Sequence, residues 1–508
     1  MRTIAVCALL FLIVFQDDAR TPKVGECTIG VFSGRSTTDG RPILWKNRDI
    51  TEPVQKFCYY APVIINGDTT LDFIADANSS DTTRVYMGLN SAGFAVINGN
   101  SYNLGDERPD GIDDGSIMAM ALGHCRTLTD FEQILNVTSV MGRKDSWNYG
   151  ALDAFGHAAL YECANFSYVK YDANDSIGDG TGLILRATFS FSGGSNHDGL
   201  PRFKRATDLV RERMRAQGID PQFIFHTLCR DLANPIANPY PLPYDGSQNN
   251  RPAGFILVHD VSINRDITRS VAVIRGVAPG EDPRLATLYG MIGQPVVSVA
   301  YPLWVESHSV PRVLNVGNQV PMYAQVIQRL SRLYSLPGDG QYLNSRYLIN
   351  KEGIGMFTYI LPLETGMLNR VDTLLENWRR NIPSSEEFAG VQNALADSIY
   401  NAYLQIPLNF SSELTQDGRE EPALSSYPNP FNANTTISLS GFAPAERITI
   451  MIFDLTGREV REFHPHSNQA SVVWDGKDGN ARQLSSGVYF IEAAAPGRVI
   501  TIKALLIK

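Results

Sequence analysis

Cysteine and histidine are scarce in this chain, at 6 and 8 of 508 residues. Six cysteines over that length cannot form a disulfide scaffold. No histidine stands in an obvious triad context. Basic runs are missing too, and 44 Lys+Arg against 53 Asp+Glu leave a formal charge of −9. That balance argues against a nucleic-acid partner. There is no P-loop, dinucleotide fingerprint, zinc motif or solenoid repeat, so no metal or organic cofactor is expected. The acidic stretches at Asp106–Asp110 and Asp172–Asp179 lack EF-hand spacing and read as solvated loops. The apolar fraction of 44% excludes wholesale disorder. At about 150 residues per domain, the length predicts roughly three domains.

Long apolar runs are also absent. The N-terminal run Ala5–Phe15 has 11 residues, short of the about 20 a membrane-spanning helix needs. Behind Arg2 it reads as a signal-peptide core, with cleavage expected near Ala19. Export permits disulfides, but five cysteines remain after Cys7 departs, and the odd one needs another explanation.

Past Glu26 the chain reads as strands with hairpin punctuation: Thr28–Phe32, a turn at Thr38–Gly40, then Ile43–Trp45. A Ser91–Gly93 turn divides a second pair. Ala151–Cys163 and Gly182–Ser192 have strand character, and Phe255–Gly276 holds two strands. Helical spacing appears at Gly115–Leu135, Arg202–Gln217, Pro321–Tyr334 and Arg370–Leu404. Ser411–Ser426 is polar and reads as a linker. Short strands follow at the spacing of a small β-sandwich.

The tail carries YPNPFNANTTISL (Tyr427–Leu439), FDLTGREV (Phe453–Val460) and WDGKDGNARQLSSGVYFIEA (Trp474–Ala493). This resembles the C-terminal sorting domain of bacterial type IX secretion cargo, an immunoglobulin-like fold also similar to FlgD-type domains. The resemblance implies passage across the outer membrane through that machinery, to the cell surface or the medium. A carbohydrate-binding or adhesive sandwich is the other reading, and it requires exposed aromatics. Trp474 and Tyr489 sit at positions that suit core packing equally well.

The chemistry concentrates at ECTIGVFSGRSTTDGRPILWKNRDI, Glu26–Ile50. A thiol and an α-amine have ordinary pKa values of about 8.5 and about 7.7–8.0. Close together on one residue, the amine serves the thiol as base. A carboxylate must orient that amine, and Asp49 lies one hairpin away. The block resembles the cysteine N-terminal nucleophile hydrolases: penicillin V acylases, choloylglycine hydrolases and the acyl-CoA:6-aminopenicillanic acid acyltransferase group. The resemblance implies cleavage before Cys27, with Cys27 as nucleophile and Asp49 as orienting carboxylate. Lys46 stands where the family has Arg, and Arg48 fills the variable position. Both are candidate substrate contacts.

Further blocks follow in the family's order. MGLNSAGFAVINGN (Met87–Asn100) suggests Asn100 as oxyanion donor, with Asn98-Gly99 as a hairpin turn the alternative. In NYGALDAFGHAALYE (Asn148–Glu162), Asp153 and Gly156 make a turn. LILRATFSFSGG (Leu183–Gly194) places Thr188 where relatives have Asn. PRFKRA (Pro201–Ala206) suggests Arg202 as electrostatic support for the nucleophile, or a solvated charge opening a helix. Gly280–Val305 resembles the acyltransferase subgroup.

The resemblance implies an α+β fold: a four-layer αββα sandwich, then the small all-β immunoglobulin-like sandwich. The expected division is a signal peptide at 1–19, a propeptide at 20–26, a catalytic domain at 27–410, a linker at 411–426 and the sorting domain at 427–508. The expected function is hydrolysis of an amide, or acyl transfer, on a small-molecule or peptide substrate through a Cys27 thioester. The alternative is an inactive scaffold serving surface adhesion. A lipoprotein cysteine at Cys27 lacks the usual apolar lead.

Overall fold

A computed structural model describes residues 26–65, 67–105, 108–175, 181–233, 254–258, 261–335, 342–350, 352–410, 423–427, 429, 431–432, 434–440, 448–465, 471–495 and 498–507. The expected signal peptide, most of the propeptide and most of the linker lie outside these residues. Parts of both acidic stretches do too.

The fold mixes helices with antiparallel sheets. β1 (Thr28–Phe32) and β2 (Ile43–Asp49) form the predicted hairpin. Its turn contains Gly40, whose φ of +75° suits glycine. Every residue of both strands is buried, the polar Lys46–Asp49 end of β2 included, so both faces of the hairpin are covered. β1 is flanked by Leu183–Arg186 and β2 by Thr268–Arg275, within a six-stranded sheet completed by Thr287–Ile292 and Tyr301–Leu303.

A seven-stranded sheet contains β3 (Ala95–Asn100) and β4 (Trp147–Leu152) as neighbours. Two glycines bring it against β1. A Cβ on Gly99 would lie 3.3 Å from Ile29, and one on Gly150 only 2.7 Å from Val31. The sheets meet there because no side chain intervenes.

Helices α1 (Asp114–His124) and α2 (Leu128–Met141) share an apolar core with the seven-stranded sheet, through Ile117, Leu122, Phe131 and Leu135. The helices Pro321–Leu333, Phe357–Trp378 and Ser385–Leu404 join the larger core that contains β1 and β2. Buried Arg230 ties this region together through a bidentate pair to Glu364, at 2.7 and 2.9 Å.

Two single-helix expectations are corrected. Gly115–Leu135 breaks at Cys125, because Thr127 caps a new helix and exchanges bonds with Asp130. Thr127→Ala should cost about 1 kcal/mol, as cap removals do. Urea unfolding of the two chains will measure it. Arg370–Leu404 likewise breaks around Pro383, and Ser384 caps the second helix. Leu183–Arg186 is the only strand in the expected Gly182–Ser192 stretch.

In the tail, Ala423–Tyr427, Thr435–Ser440 and Ser471–Trp474 form one antiparallel sheet. Thr449–Phe453, Glu459–Phe463, Gly487–Ala495 and Arg498–Leu506 form another. The first strand opens at Ala423, inside the segment expected as linker, because it pairs with Thr435–Ser440. Trp474 and Tyr489 are buried in the shared core with ring centroids 5.3 Å apart. Neither ring is available to stack on a ligand.

Among the described residues the five cysteines are free and buried. No described helix is long and apolar enough to cross a membrane.

Candidate active site

The hairpin register sets the site. Thr28 pairs with Asn47, so the chain just before β1 runs beside Asp49. The Glu26 amide donates to the Asp49 carbonyl oxygen at 3.1 Å. Side chains alternate across a strand. Glu26 and Asp49 therefore share one face, and Cys27 shares the other with Lys46 and Arg48. The peptide between Glu26 and Cys27 lies at the boundary of the two.

On the Asp49 face, Thr268 donates to Asp49 Oδ1 at 2.6 Å. Asp49 Oδ2 is buried and accepts no hydrogen bond. Arg265 Nη1 lies 3.8 Å from it. Burial pushes the Asp49 carboxyl up to about 6 despite the nearby guanidinium groups. The Glu26 carboxylate is clamped. Its Oε2 accepts from Arg265 Nη1 at 2.6 Å and from Arg202 Nη1 at 2.9 Å. Arg202 is buried in the first turn of α3 (Leu200–Ala216), so it is not a solvated charge. Thr188 is buried and accepts from Arg202 Nη2 at 3.1 Å.

On the other face, Cys27 is buried within electrostatic reach of Lys46. Lys46 Nζ donates to Asn98 Oδ1 and to the Tyr86 carbonyl oxygen at 3.0 Å. Asn98 in turn donates to Asp114 Oδ2 at 2.7 Å. Burial holds the Lys46 ammonium below its ordinary range and raises Asp114 to about 7. A polar chain thus runs from the thiol region to the start of α1.

Arg48 is committed to the protein interior. It pairs with Asp76 at 3.2 Å, donates to Asn78 at 2.9 Å and stacks 3.7 Å from the Tyr86 ring centroid. All of these Arg48 partners belong to the protein itself. Asn98 and Gly99 are not a turn, for both lie within β3 and pair with β4. The turn signal loses to the ladder and to the space Gly99 provides. Asn100 ends that strand with Oδ1 buried and without a partner. Asp153 and Gly156 do form a turn, with Gly156 at φ +85° and Asp153 accepting from Phe155 and His157 amides.

Arg265, Thr268, Asn98, Asp114 and the clamped side chain of Glu26 were not singled out from sequence. Arg265 sits in an unremarkable polar loop, SINRDIT. The Asn98-Gly99 dipeptide masked its own asparagine. Among the described residues no group of three or more His, Cys, Asp and Glu side chains gathers to hold a metal ion.

No curated protein matches the chain. Among solved structures, the chain is similar to penicillin V acylase from Agrobacterium tumefaciens, with 13% identity and a TM-score of 0.34. That similarity covers 55% of this chain and 86% of the acylase. A variant of conjugated bile acid hydrolase from Clostridium perfringens is also similar, at 13% identity and a TM-score of 0.31. There the coverage is 52% of this chain and 89% of the hydrolase. PorZ, a surface component of the type-IX secretion system of Porphyromonas gingivalis, is similar over 17% of this chain and 12% of its own length. Its identity is 25% and its TM-score 0.15. Residues 425–508 match the model of the family described as Secretion system C-terminal sorting domain, so this chain ends in a sorting tail that links it to type IX export.

Proposed function

We propose that the chain is an exported cysteine amidase or acyltransferase whose nucleophile, Cys27, is uncovered by cleavage of the Glu26–Cys27 bond. The observation that carries this reading is the unpartnered, buried oxygen of Asp49 beside that peptide. A buried carboxylate oxygen without a hydrogen bond is costly. An α-amine released at Cys27 would supply the missing donor.

The chemistry balances without further reagents. Cys27 Sγ gives up its proton and adds to the Glu26 carbonyl carbon. The C–N bond breaks, the proton passes to the departing Cys27 nitrogen, and a thioester to Sγ remains. Water hydrolyses it, restoring the thiol and releasing Glu26 as a carboxylic acid. In later turnovers the α-amine takes the thiol proton and returns it to the leaving amine of the substrate. Asp49 orients the amine, Asn100 donates to the developing oxyanion and Arg202 supports the charge. Lys46 takes the place of the family's Arg beside the thiol. The catalytic domain, 27–410, is a four-layer αββα sandwich in this reading, and the tail is an immunoglobulin-like one.

The test is the N-terminal sequence and intact mass of the exported protein. A chain beginning at Cys27 is expected. A chain that keeps the Glu26–Cys27 bond would refute the mechanism and favour an inactive scaffold with an adhesive role.

A further inference from the structure

Glu26 occupies a built anion site. Its carboxylate is held by Arg202 and Arg265, whose side chains are 0% and 4% exposed. Two guanidinium groups buried together repel one another and lose hydration, a cost that the Glu26 carboxylate between them offsets directly, with the Asp49 carboxyl 3.8 Å from Arg265. Arg202 adds a second cost, because a cation in the first turn of a helix opposes the helix dipole. The pair is arranged for a carboxylate.

That carboxylate belongs to the segment which cleavage removes. The inference therefore rests on the amidase reading above, and it goes further by naming the substrate. In self-cleavage, Cys27 Sγ attacks the carbonyl of residue 26. Glu26 is thus the acyl half of the first amide the site opens. Its carboxylate stands beyond Cα, Cβ and Cγ from the reacting carbonyl. Once Glu26 leaves, the next acyl group meets the same two arginines.

We infer that Arg202 and Arg265 form the acyl-side anion site of the mature protein, and that its substrates are amides of dicarboxylic or α-glutamyl acyl groups of glutaryl length. Glu26 is then a built-in copy of the substrate's acyl group.

Two measurements on the exported protein cut at Cys27 test this. The first compares kcat/KM for glutaryl-4-nitroanilide and pentanoyl-4-nitroanilide, which differ only in the terminal carboxylate. Charge-assisted hydrogen bonds predict a preference for the glutaryl compound of about tenfold or more. The second compares calorimetric affinities for 5-oxohexanoate and 2-hexanone. These place a ketone at the same spacing and offer no amide to cleave. The carboxylate ligand should bind tighter by a similar factor, and Arg265→Gln should erase the advantage. Arg202→Lys, which keeps charge but loses the planar fork, should narrow it. Equal affinities, equal absence of binding, or a preference that survives Arg265→Gln would overturn the inference. Where a variant fails to fold, the wild-type comparison decides. Hydrolysis of both anilides at one rate sinks the anion site and leaves the amidase standing. A chain that retains Glu26 sinks both.

Discussion

A Cys27→Ala chain is expected to be exported with Glu26 still attached and to open no amide above background. The thiol supplies both the attacking atom and the proton that leaves with the amine. Thr268, whose hydroxyl donates to Asp49, is not the residue after the expected cut and carries no α-amine of its own. Loss of a nucleophile in enzymes of this logic costs about 10⁴-fold or more. The substitution itself is small: a buried thiol becomes a methyl group, and cavities of that size cost only about 1 kcal/mol. Folding should therefore survive, which a thermal melt monitored by circular dichroism will show. Intact mass then reads the cleavage directly. Complete processing of Cys27→Ala would mean that another protease makes the cut, and the self-cleaving mechanism would fail.

Asp49→Asn is expected to move stability and turnover in opposite directions. Burial raises the Asp49 carboxyl from an ordinary 3.8 to about 6. Between those values the folded chain keeps a proton that the unfolded chain has lost. Stability tied to this group is thus complete below pH 4 and declines as pH rises through 6. At pH 7 the loss approaches about 3 kcal/mol, from roughly two pH units at 1.36 kcal/mol each. Asparagine carries no charge and escapes it. The comparison is best made in a Cys27→Ala background, where both chains stay uncut. Urea unfolding at pH 4 and pH 7 should show the Asp49→Asn chain gaining at the higher pH only. Asp114, raised to about 7 by burial, titrates in both chains and cancels. With Cys27 present, Asp49→Asn should slow amide turnover by the cut protein by about 10²-fold or more, because the α-amine that acts as base loses the carboxylate that orients it. Equal stability differences at both pH values would show that Asp49 carries no charge penalty.

Much of this was legible before any coordinates. The hairpin at Thr28–Asp49, the tail strands and the α3 helix follow from alternation and turn residues, which are local signals. The two split helices were legible in principle. Thr127 with Asp130, and Pro383 with Ser384, are helix-start signatures that outweigh an unbroken apolar spacing. Asn98-Gly99 shows the opposite failure, for a strong turn pair was overruled by a sheet whose close approach needs the glycine. The Glu26 clamp could not be read at all. Its parts come from the residue before Cys27, the first turn of a helix and a loop far along the chain, and only the fold brings them together. Arg48 misled for a related reason. Its place in the family-like block suggested a substrate contact, but Asp76 and Asn78 from another strand and Tyr86 from the bend before the next engage it.

The glycine contact between the sheets has a consequence for timing. A newly cut chain end ordinarily frays, because nothing upstream restrains it. Here the residue after the expected cut directly precedes β1, which is paired on both edges and pressed from above at Gly99 and Gly150. Fixing a backbone residue takes about 1–2 kcal/mol of entropy, and the core supplies that ordering when the protein folds. In the proposed mechanism the severed terminus inherits its position from the intact strand. On that proposal no search, docking or refolding would separate the cut from the first turnover, and the reagent formed by cleavage would already be aimed when it appears.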